Sequence, residues 1–169
     1  MIRADEAGQL AGRAIALLTA RDETVAAAES LTGGLVAAAL TAVPGASAAF
    51  RGGVIAYATD LKASILGVPA DLLSAHGAVH PRVAAAMAEG VRTRMSAAFG
   101  VATTGVAGPD PADGQPVGTV YIAVASAAGS TGAGLSLAGS RSQIRDATVQ
   151  AVLVLLIRKI GEVRGEETS

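Results

Sequence analysis

Cysteine is missing from the 169-residue sequence. Its absence excludes thiol nucleophiles, disulfide bonds and metal sites built on cysteine, and it suits a reducing cytoplasm. Tryptophan is also missing, and two phenylalanines and two tyrosines are the only aromatic residues besides the two histidines. So few rings argue against the stacking platforms on which single-stranded nucleic acids are bound.

Charge and long apolar runs are scarce as well. Charged residues make up 16% of the chain and the formal net charge is −1, which argues against a general nucleic-acid binder. Near the C-terminus the longest wholly apolar run is Ala151 to Ile157, far short of the roughly 20 residues that span a bilayer. The N-terminus is acidic where a secretory signal would be basic. We therefore expect a cytoplasmic protein with no membrane segment and no nucleic-acid partner.

Apolar periodicity and the positions of glycine and proline predict an alternation of helices and strands. Helices are predicted over residues 5–20, 35–43, 59–66, from Pro69, 81–98 and 141–160. Strands are predicted over residues 24–28, 52–57, 101–104 and 119–125, with a weaker one around 134–138. This order predicts an α/β fold, a single three-layer α/β/α domain over residues 1–169 with a mixed sheet, and a frayed polar tail from about residue 161. The abundance of alanine predicts closely approaching elements.

Several common catalytic patterns are absent from the sequence. It has no phosphate-binding loop of the form G-x-x-x-x-G-K-[ST], no G-x-G-x-x-G and no G-x-S-x-G nucleophile elbow. His76 and His80 have the spacing of a zinc-binding helix, but Gly77 lies between them and Pro81 favours extended backbone at His80. The glutamate of the zinc-protease pattern is missing too. We predict no metal site, and a role for the two histidines in a turn or an interface.

The segment that begins Glu29-Ser30-Leu31-Thr32 and ends with Gly33 and Gly34 is the first candidate for chemistry. A hydroxyl follows a predicted buried strand, two glycines permit close backbone approach, and a helix follows. Backbone N–H groups at such a helix start bind anions or a developing oxyanion. In the alternative interpretation, Ser30 or Thr32 is simply the N-cap of the helix.

Three further segments carry polar side chains next to predicted strand or helix ends. Tyr57 and Lys62 follow a strand, and a lysine between Leu61 and Ala63 is a candidate base if burial lowers its pKa. Thr104 and Gly105 lead into a small-residue loop that could place N–H groups against a ligand. Their alternatives are a solvated lysine and an ordinary turn.

The last of these segments contains two arginines at the start of the final predicted helix. Arg141 and Arg145 share a helical face and could clamp a phosphate, or they could be surface residues. Taken together with the absence of cysteine, the four segments predict a metal-free serine–lysine hydrolase that acts on a small phosphorylated molecule.

These residues also carry a family resemblance. The sequence resembles the CinA C-terminal domain family, the nicotinamide-nucleotide amidases, over about residues 5 to 160. The matching stretches are Ala28–Gly34, Val43–Ser47, Phe50–Tyr57, Lys62, Leu66–Val68, His76–Val79, Thr104–Pro109 and Pro116–Val120.

The resemblance implies hydrolysis of the carboxamide of nicotinamide mononucleotide to nicotinate mononucleotide and ammonia, without metal or organic cofactor, by a homodimer or a higher homo-oligomer. In that scheme Ser30 attacks the amide carbon or donates to the oxyanion, Lys62 transfers protons, and Tyr57 orients or relays. The substrate-binding positions implied are Thr32, Gly33, Gly34, Ser47, Phe50, Arg51, Thr104, Gly105, Arg141 and Arg145.

The sequence departs from the family pattern at three places. Leu31 stands where many members have cysteine, Thr59 lies where asparagine or serine is frequent, and the loop over residues 110–115 lacks a glycine run. The loop bears on how the substrate is enclosed. An alternative function is a non-catalytic pyridine-nucleotide-binding or regulatory module, since family membership does not guarantee turnover.

Overall fold

The computed structural model describes the backbone of residues 4–166 and, within it, the side chains of residues 6–163. The helices are α1 (Ala4–Ala20), α2 (Leu35–Thr41), α3 (Thr59–Ser64), α4 (Ala70–His76), α5 (Pro81–Arg94) and α6 (Arg141–Glu166). The strands are β1 (Val25–Glu29), β2 (Phe50–Ile55), β3 (Phe99–Gly105), β4 (Thr119–Ser126) and β5 (Gly129–Ser136). A 3₁₀ turn over Ala46–Ala48 precedes β2.

The strands form one sheet in the order β2-β1-β3-β4-β5. Strand β1 is parallel to both β2 and β3, whereas β4 is antiparallel to β3 and β5 is antiparallel to β4. Helices α1, α2 and α6 pack on one face of this sheet, and α4 and α5 pack on the other. The predicted three-layer α/β/α arrangement with a mixed sheet is therefore confirmed.

Small residues set how closely α5 packs against the sheet and against the segment that follows α3. The sheet presents alanines to this helix, among them Ala26, Ala102 and Ala123. A Cβ on Gly90 would lie 2.0 Å from the carbonyl oxygen of Leu66, and one on Gly100 would lie 2.1 Å from that of Ala88. No side chain fits in either gap, because real Cβ atoms do not approach backbone oxygens so closely. The close approach predicted from the alanine content is thus present.

The largest differences from the predicted boundaries, of four residues or more, occur at three elements. Strand β5 begins at Gly129 rather than near Gly134, since its pairing with β4 outweighs the low strand preference of its glycines. Helix α5 ends at Arg94, shortly before Ser96 with φ 50°. Helix α6 continues to Glu166, beyond its predicted end at residue 160, and the fraying expected from about residue 161 stays a prediction. Residues 167–169 lie outside the described residues.

No helix in the described range combines the length and the apolar character needed to cross a bilayer.

Candidate active site

The carboxyl ends of three neighbouring parallel strands meet at one edge of the sheet. Ser30 directly follows β1, Tyr57 comes two residues after β2, and Thr104 and Gly105 end β3. In open α/β sheets this edge is where ligands bind. A cavity of about 180 Å³ lies here. Its lining comprises Ser30, Leu31, Tyr57, Thr59, Lys62, Ala78, Val79, Thr104–Gly108, Asp110, Ala112, Asp113 and Arg141.

Lys62 provides the amine of this site. It lies on α3, and only 1% of its surface is exposed. Its Nζ lies 3.0 Å from Ser30 Oγ, 2.7 Å from the carbonyl oxygen of Ala56 and 3.4 Å from that of Tyr57. Ser30 is itself buried, with 8% of its surface exposed. The hydroxyl and the amine that the sequence analysis selected are therefore in direct contact inside one cavity.

Burial lowers the pKa of Lys62 from 10.5 to about 8, and the carboxylate of Asp113 opposes part of this change. A neutral amine has two N–H groups and one lone pair. The two carbonyl oxygens of Ala56 and Tyr57 can accept the two N–H groups, which leaves the lone pair for the hydroxyl proton of Ser30. This geometry allows Lys62 to act as a general base toward Ser30 near neutral pH.

Tyr57 and Arg141 lie at the mouth of the cavity. The Tyr57 side chain is 58% exposed, and its hydroxyl accepts a hydrogen bond from Arg141 at 3.0 Å. The same guanidinium donates to the carbonyl oxygen of Gly108 at 2.6 Å. Tyr57 thus contacts Lys62 through its backbone carbonyl, while its side-chain hydroxyl lies at the mouth of the cavity.

The loop after Ser30 is closed by its own hydrogen bonds. Gly33 and Gly34 adopt φ of 57° and 105°, a region that favours glycine. The Gly33 amide donates to the carbonyl of Ser30 at 3.0 Å. The first-turn amides of α2, Val36 and Ala37, donate to the carboxylate of Glu29 at 2.8 and 3.0 Å.

Glu29 therefore caps α2. The alternative prediction that Ser30 or Thr32 is the N-cap of this helix is wrong. These helix amides and the Gly33 amide already have acceptors. Gly33 and Gly34 also lie outside the cavity lining, so their part is to form the turn that presents Ser30.

Two predicted substrate-binding residues, Thr32 and Arg145, do not line the cavity. Their side chains make contacts that hold the loop following Ser30. Thr32 is fully buried, and its hydroxyl lies 2.8 Å from that of Thr103. Arg145 donates from Nε to the carbonyl of Leu31 at 2.9 Å and from its terminal nitrogen to that of Thr32 at 3.2 Å. In this structure the guanidinium holds the loop, whereas Arg141, one helical turn earlier, reaches the mouth.

Three other predicted positions lie at the opposite edge of the sheet. Phe50 pairs with Val25 at the start of β1, five residues before Ser30, which corresponds to about 16 Å of extended strand. Arg51 donates from Nε to the carbonyl of Met95. Ser47 and Phe50 line a separate cavity of about 490 Å³. Within one chain, Ser47, Phe50 and Arg51 therefore do not reach the Ser30 cavity.

Two carboxylates of the cavity were missed as site residues. Asp110 and Asp113 belong to the loop between β3 and β4, which the sequence analysis identified only as polar and poor in glycine. The Oδ2 atom of Asp113 accepts a hydrogen bond from the Ala78 amide at 3.1 Å, and the Thr104 hydroxyl donates to the Ala78 carbonyl at 2.7 Å. The segment around Ala78 is thereby fixed as a wall of the cavity. The Asp113-Gly114 turn dipeptide was the available signal.

The two histidines form a turn contact, as one of the predicted alternatives had it. Helix α4 ends at His76 and α5 begins after His80, whose backbone is extended as Pro81 predicts. The rings stack with centroids 4.2 Å apart, and His80 Nδ1 accepts a hydrogen bond from the Arg82 amide at 3.2 Å. Among the described residues no group of three or more potential ligands could hold a metal ion.

Comparison with known proteins identifies the relatives of this chain. The CinA C-terminal domain family matches residues 7–160. A CinA-like protein of Frankia casuarinae is 51% identical over 158 residues, which cover 94% of this chain and 36% of that protein. A putative competence-damage inducible protein of a Geobacillus species is 46% identical and is covered to the same 36%. The chain thus spans about a third of the length of these curated relatives.

Solved structures share the fold over nearly their whole length. The competence/damage inducible protein CihA of Agrobacterium tumefaciens superimposes with a TM-score of 0.89 at 37% identity, covering 94% of this chain and 98% of that one. A competence-damaged protein (CinA) superfamily protein of Enterobacter cloacae gives a TM-score of 0.88 at 26% identity, with 91% and 92% covered. The names of these proteins state no substrate.

Proposed function

Because the chain belongs to the CinA C-terminal domain family, we propose that it is an amidohydrolase that converts nicotinamide mononucleotide to nicotinate mononucleotide and ammonia. One observation carries the proposal: a buried lysine amine with a lowered pKa lies 3.0 Å from a serine hydroxyl at the wall of a cavity. This pairing is what a serine nucleophile needs in a site without a histidine base.

The proposed reaction proceeds through an ester of Ser30. Neutral Lys62 accepts the hydroxyl proton while Oγ attacks the carboxamide carbon. The tetrahedral intermediate then expels ammonia, and the proton on Lys62 goes to the leaving nitrogen. Water then attacks the resulting ester while Lys62 accepts one of its protons. The bond between the acyl carbon and Oγ breaks, Lys62 returns that proton to Oγ, and the acid leaves as the carboxylate after losing its own proton to solvent. We place the developing oxyanion on the Gly105 side of the cavity, since the Gly33 amide already has an acceptor.

The size of the cavity supports a substrate that enters with one end. Sites for whole drug-sized ligands measure roughly 300–1,000 Å³, whereas this one measures about 180 Å³. It suits an amide and its ring, with the ribose and the phosphate outside at the mouth. Arg141 is the cation placed to meet the phosphate there, once its guanidinium releases the Tyr57 hydroxyl. A homodimer or higher homo-oligomer and a cytoplasmic location stay predictions.

The deciding experiment is ammonia release from nicotinamide mononucleotide in the presence of a chelator. We expect turnover by the wild type and a fall of about 10³-fold or more in Ser30→Ala and Lys62→Ala. Ser74→Ala on α4 and Lys159→Met on α6 are matched controls that should keep the wild-type rate. Wild-type rates in both site variants would refute the serine–lysine mechanism. Thermal stabilisation by the nucleotide without ammonia would favour the non-catalytic binding module instead.

A further inference from the structure

Two carboxylates of the cavity take no part in the proposed reaction. Alongside Lys62 and Arg141, the lining contains the carboxylates of Asp110 and Asp113. A carboxylate repels the phosphate that Arg141 would attract, so an anionic substrate alone gives no reason for it. The cavity therefore calls for a substrate that also carries a positive charge near its reacting end.

Nicotinamide mononucleotide carries such a charge. Its ring nitrogen is a pyridinium cation, and it lies within the same six-membered ring as the carbon that bears the carboxamide. When Ser30 reaches the carboxamide carbon, a cavity of about 180 Å³ keeps the ring nitrogen among the lining residues. The reduced dihydropyridine form and simple aromatic amides have the same amide group without this charge.

Asp113 is the carboxylate that geometry favours for this cation. Its Oδ2 is bound to the amide of Ala78, whose carbonyl is in turn held by the Thr104 hydroxyl, so the carboxylate is fixed at the cavity wall. It also acts electrostatically on Lys62, the partner of Ser30, and raises the pKa of that amine. Asp113 therefore lies within electrostatic reach of the reacting atoms.

We propose that Asp113 recognises the positive charge of the pyridinium ring and thereby selects oxidised, N-substituted nicotinamides over neutral amides. This inference rests on the proposed function. The favourable interaction between the carboxylate and the ring cation offsets the desolvation of the ring, and a neutral ring gains nothing from it. Asp113 is thus a specificity-determining residue rather than a participant in proton transfer.

The test compares the binding of two nucleotides that differ in one ring atom. Nicotinamide mononucleotide has N⁺ where benzamide riboside 5′-phosphate has carbon, and both retain the carboxamide and the phosphate. Dissociation constants are measured by calorimetry in Ser30→Ala, which prevents turnover. The same measurements are made after adding Asp113→Asn, Asp110→Asn or Asp71→Asn. Asparagine at 113 keeps an oxygen for the Ala78 amide, and Asp71 is an exposed residue of α4 that serves as the charge control.

We expect Ser30→Ala to favour the cationic nucleotide and Asp113→Asn to reduce that preference by about fivefold, the size of a partly exposed ion pair. The preference should be unchanged in Asp71→Asn. An unchanged preference in Asp113→Asn, a loss confined to Asp110→Asn, or no binding of either nucleotide would overturn the inference. Ammonia release by the wild type is scored separately. Charge-selective binding without turnover would therefore contradict the amidase and leave the role of Asp113 standing.

Discussion

Replacing Lys62 by methionine should abolish activity and at the same time remove the free-energy cost of burying a charged amine. The variant loses the base, so we expect no turnover. It also removes an amine that folding buries to 1% exposure. Methionine has a similar length and no charge, so it can pack in the space that the buried Lys62 side chain occupies.

The size of the stability effect follows from the pKa of Lys62. A tenfold change in a proton-binding constant corresponds to about 1.4 kcal/mol. A fall from 10.5 to about 8 therefore means that folding disfavours the charged amine by roughly 3 kcal/mol. Below pH 8 both states hold the proton and the wild type bears the whole cost. Between pH 8 and 10.5 the folded state releases its proton first, so the stability of the wild type rises with pH.

A second contribution to the stability difference does not depend on pH, and it favours the wild type over Lys62→Met. Methionine leaves the carbonyl of Ala56 without its 2.7 Å partner, which costs about 1–3 kcal/mol at every pH. The difference in the free energy of unfolding between the wild type and Lys62→Met is therefore less informative at a single pH than its change with pH. Relative to Lys62→Met, the wild type should gain roughly 3 kcal/mol between pH 7 and the alkaline end of the range.

The assay is denaturant unfolding of both proteins at intervals from pH 6.5 to 10.5, with the free energies subtracted at each pH. Lys159→Met removes the only other lysine of the sequence and serves as the reference for a lost positive charge. A difference between wild type and Lys62→Met that stays constant over this range would refute the argument that burial lowers the pKa of Lys62.

Three further outcomes are expected. The kcat/KM of the wild type should rise about tenfold per pH unit and level off above about pH 8, because the base must be neutral; a flat profile would contradict a Lys62 base. Glu29→Gln should lower the free energy of unfolding by about 1–3 kcal/mol, since one first-turn amide loses its acceptor; denaturant unfolding measures this, and an unchanged value would contradict the capping role. Gly90→Ala should destabilise the fold by about 1–3 kcal/mol because its Cβ meets the Leu66 carbonyl. Gly12→Ala, with open space around the new Cβ, should stabilise the fold by up to about 1 kcal/mol. Equal shifts of the two melting curves would contradict the packing argument.

The order of elements could be predicted because glycine and proline mark most of the boundaries. The stop after α2 at Pro44-Gly45 and the start of α5 at Pro81 are of this kind. Strand β5 was placed too late because it contains three glycines and few strand-favouring residues, and only its ladder with β4 defines it. The end of α6 was placed too early because the residues from Gly161 onward are polar, although a helix can continue through glycine and polar residues at modest cost.

The site could be predicted where backbone topology decides it. Ser30 and Tyr57 follow parallel strands and Gly105 ends one, and the carboxyl ends of such strands meet. Long and loop-borne side chains were beyond that argument. Helical spacing correctly placed Arg141 and Arg145 on one face, but only coordinates show that one guanidinium reaches the cavity mouth and the other supports the Ser30 loop. The position of Asp113 depends on an irregular loop with no repeating pattern.

Two buried charged side chains flank Ser30, the proposed nucleophile, and their contacts explain why we assign a structural role to one and a reactive role to the other. Both oxygens of Glu29 accept hydrogen bonds from amides of α2, which do not change during a reaction. Lys62 also satisfies two backbone carbonyls, but its remaining contact is the hydroxyl of Ser30 at the cavity wall. That contact can reverse its direction when the amine loses a proton, because the hydroxyl then donates. The burial of Lys62 therefore destabilises the folded state, and in the proposed mechanism the same burial makes it a base, whereas Glu29 contributes only stability.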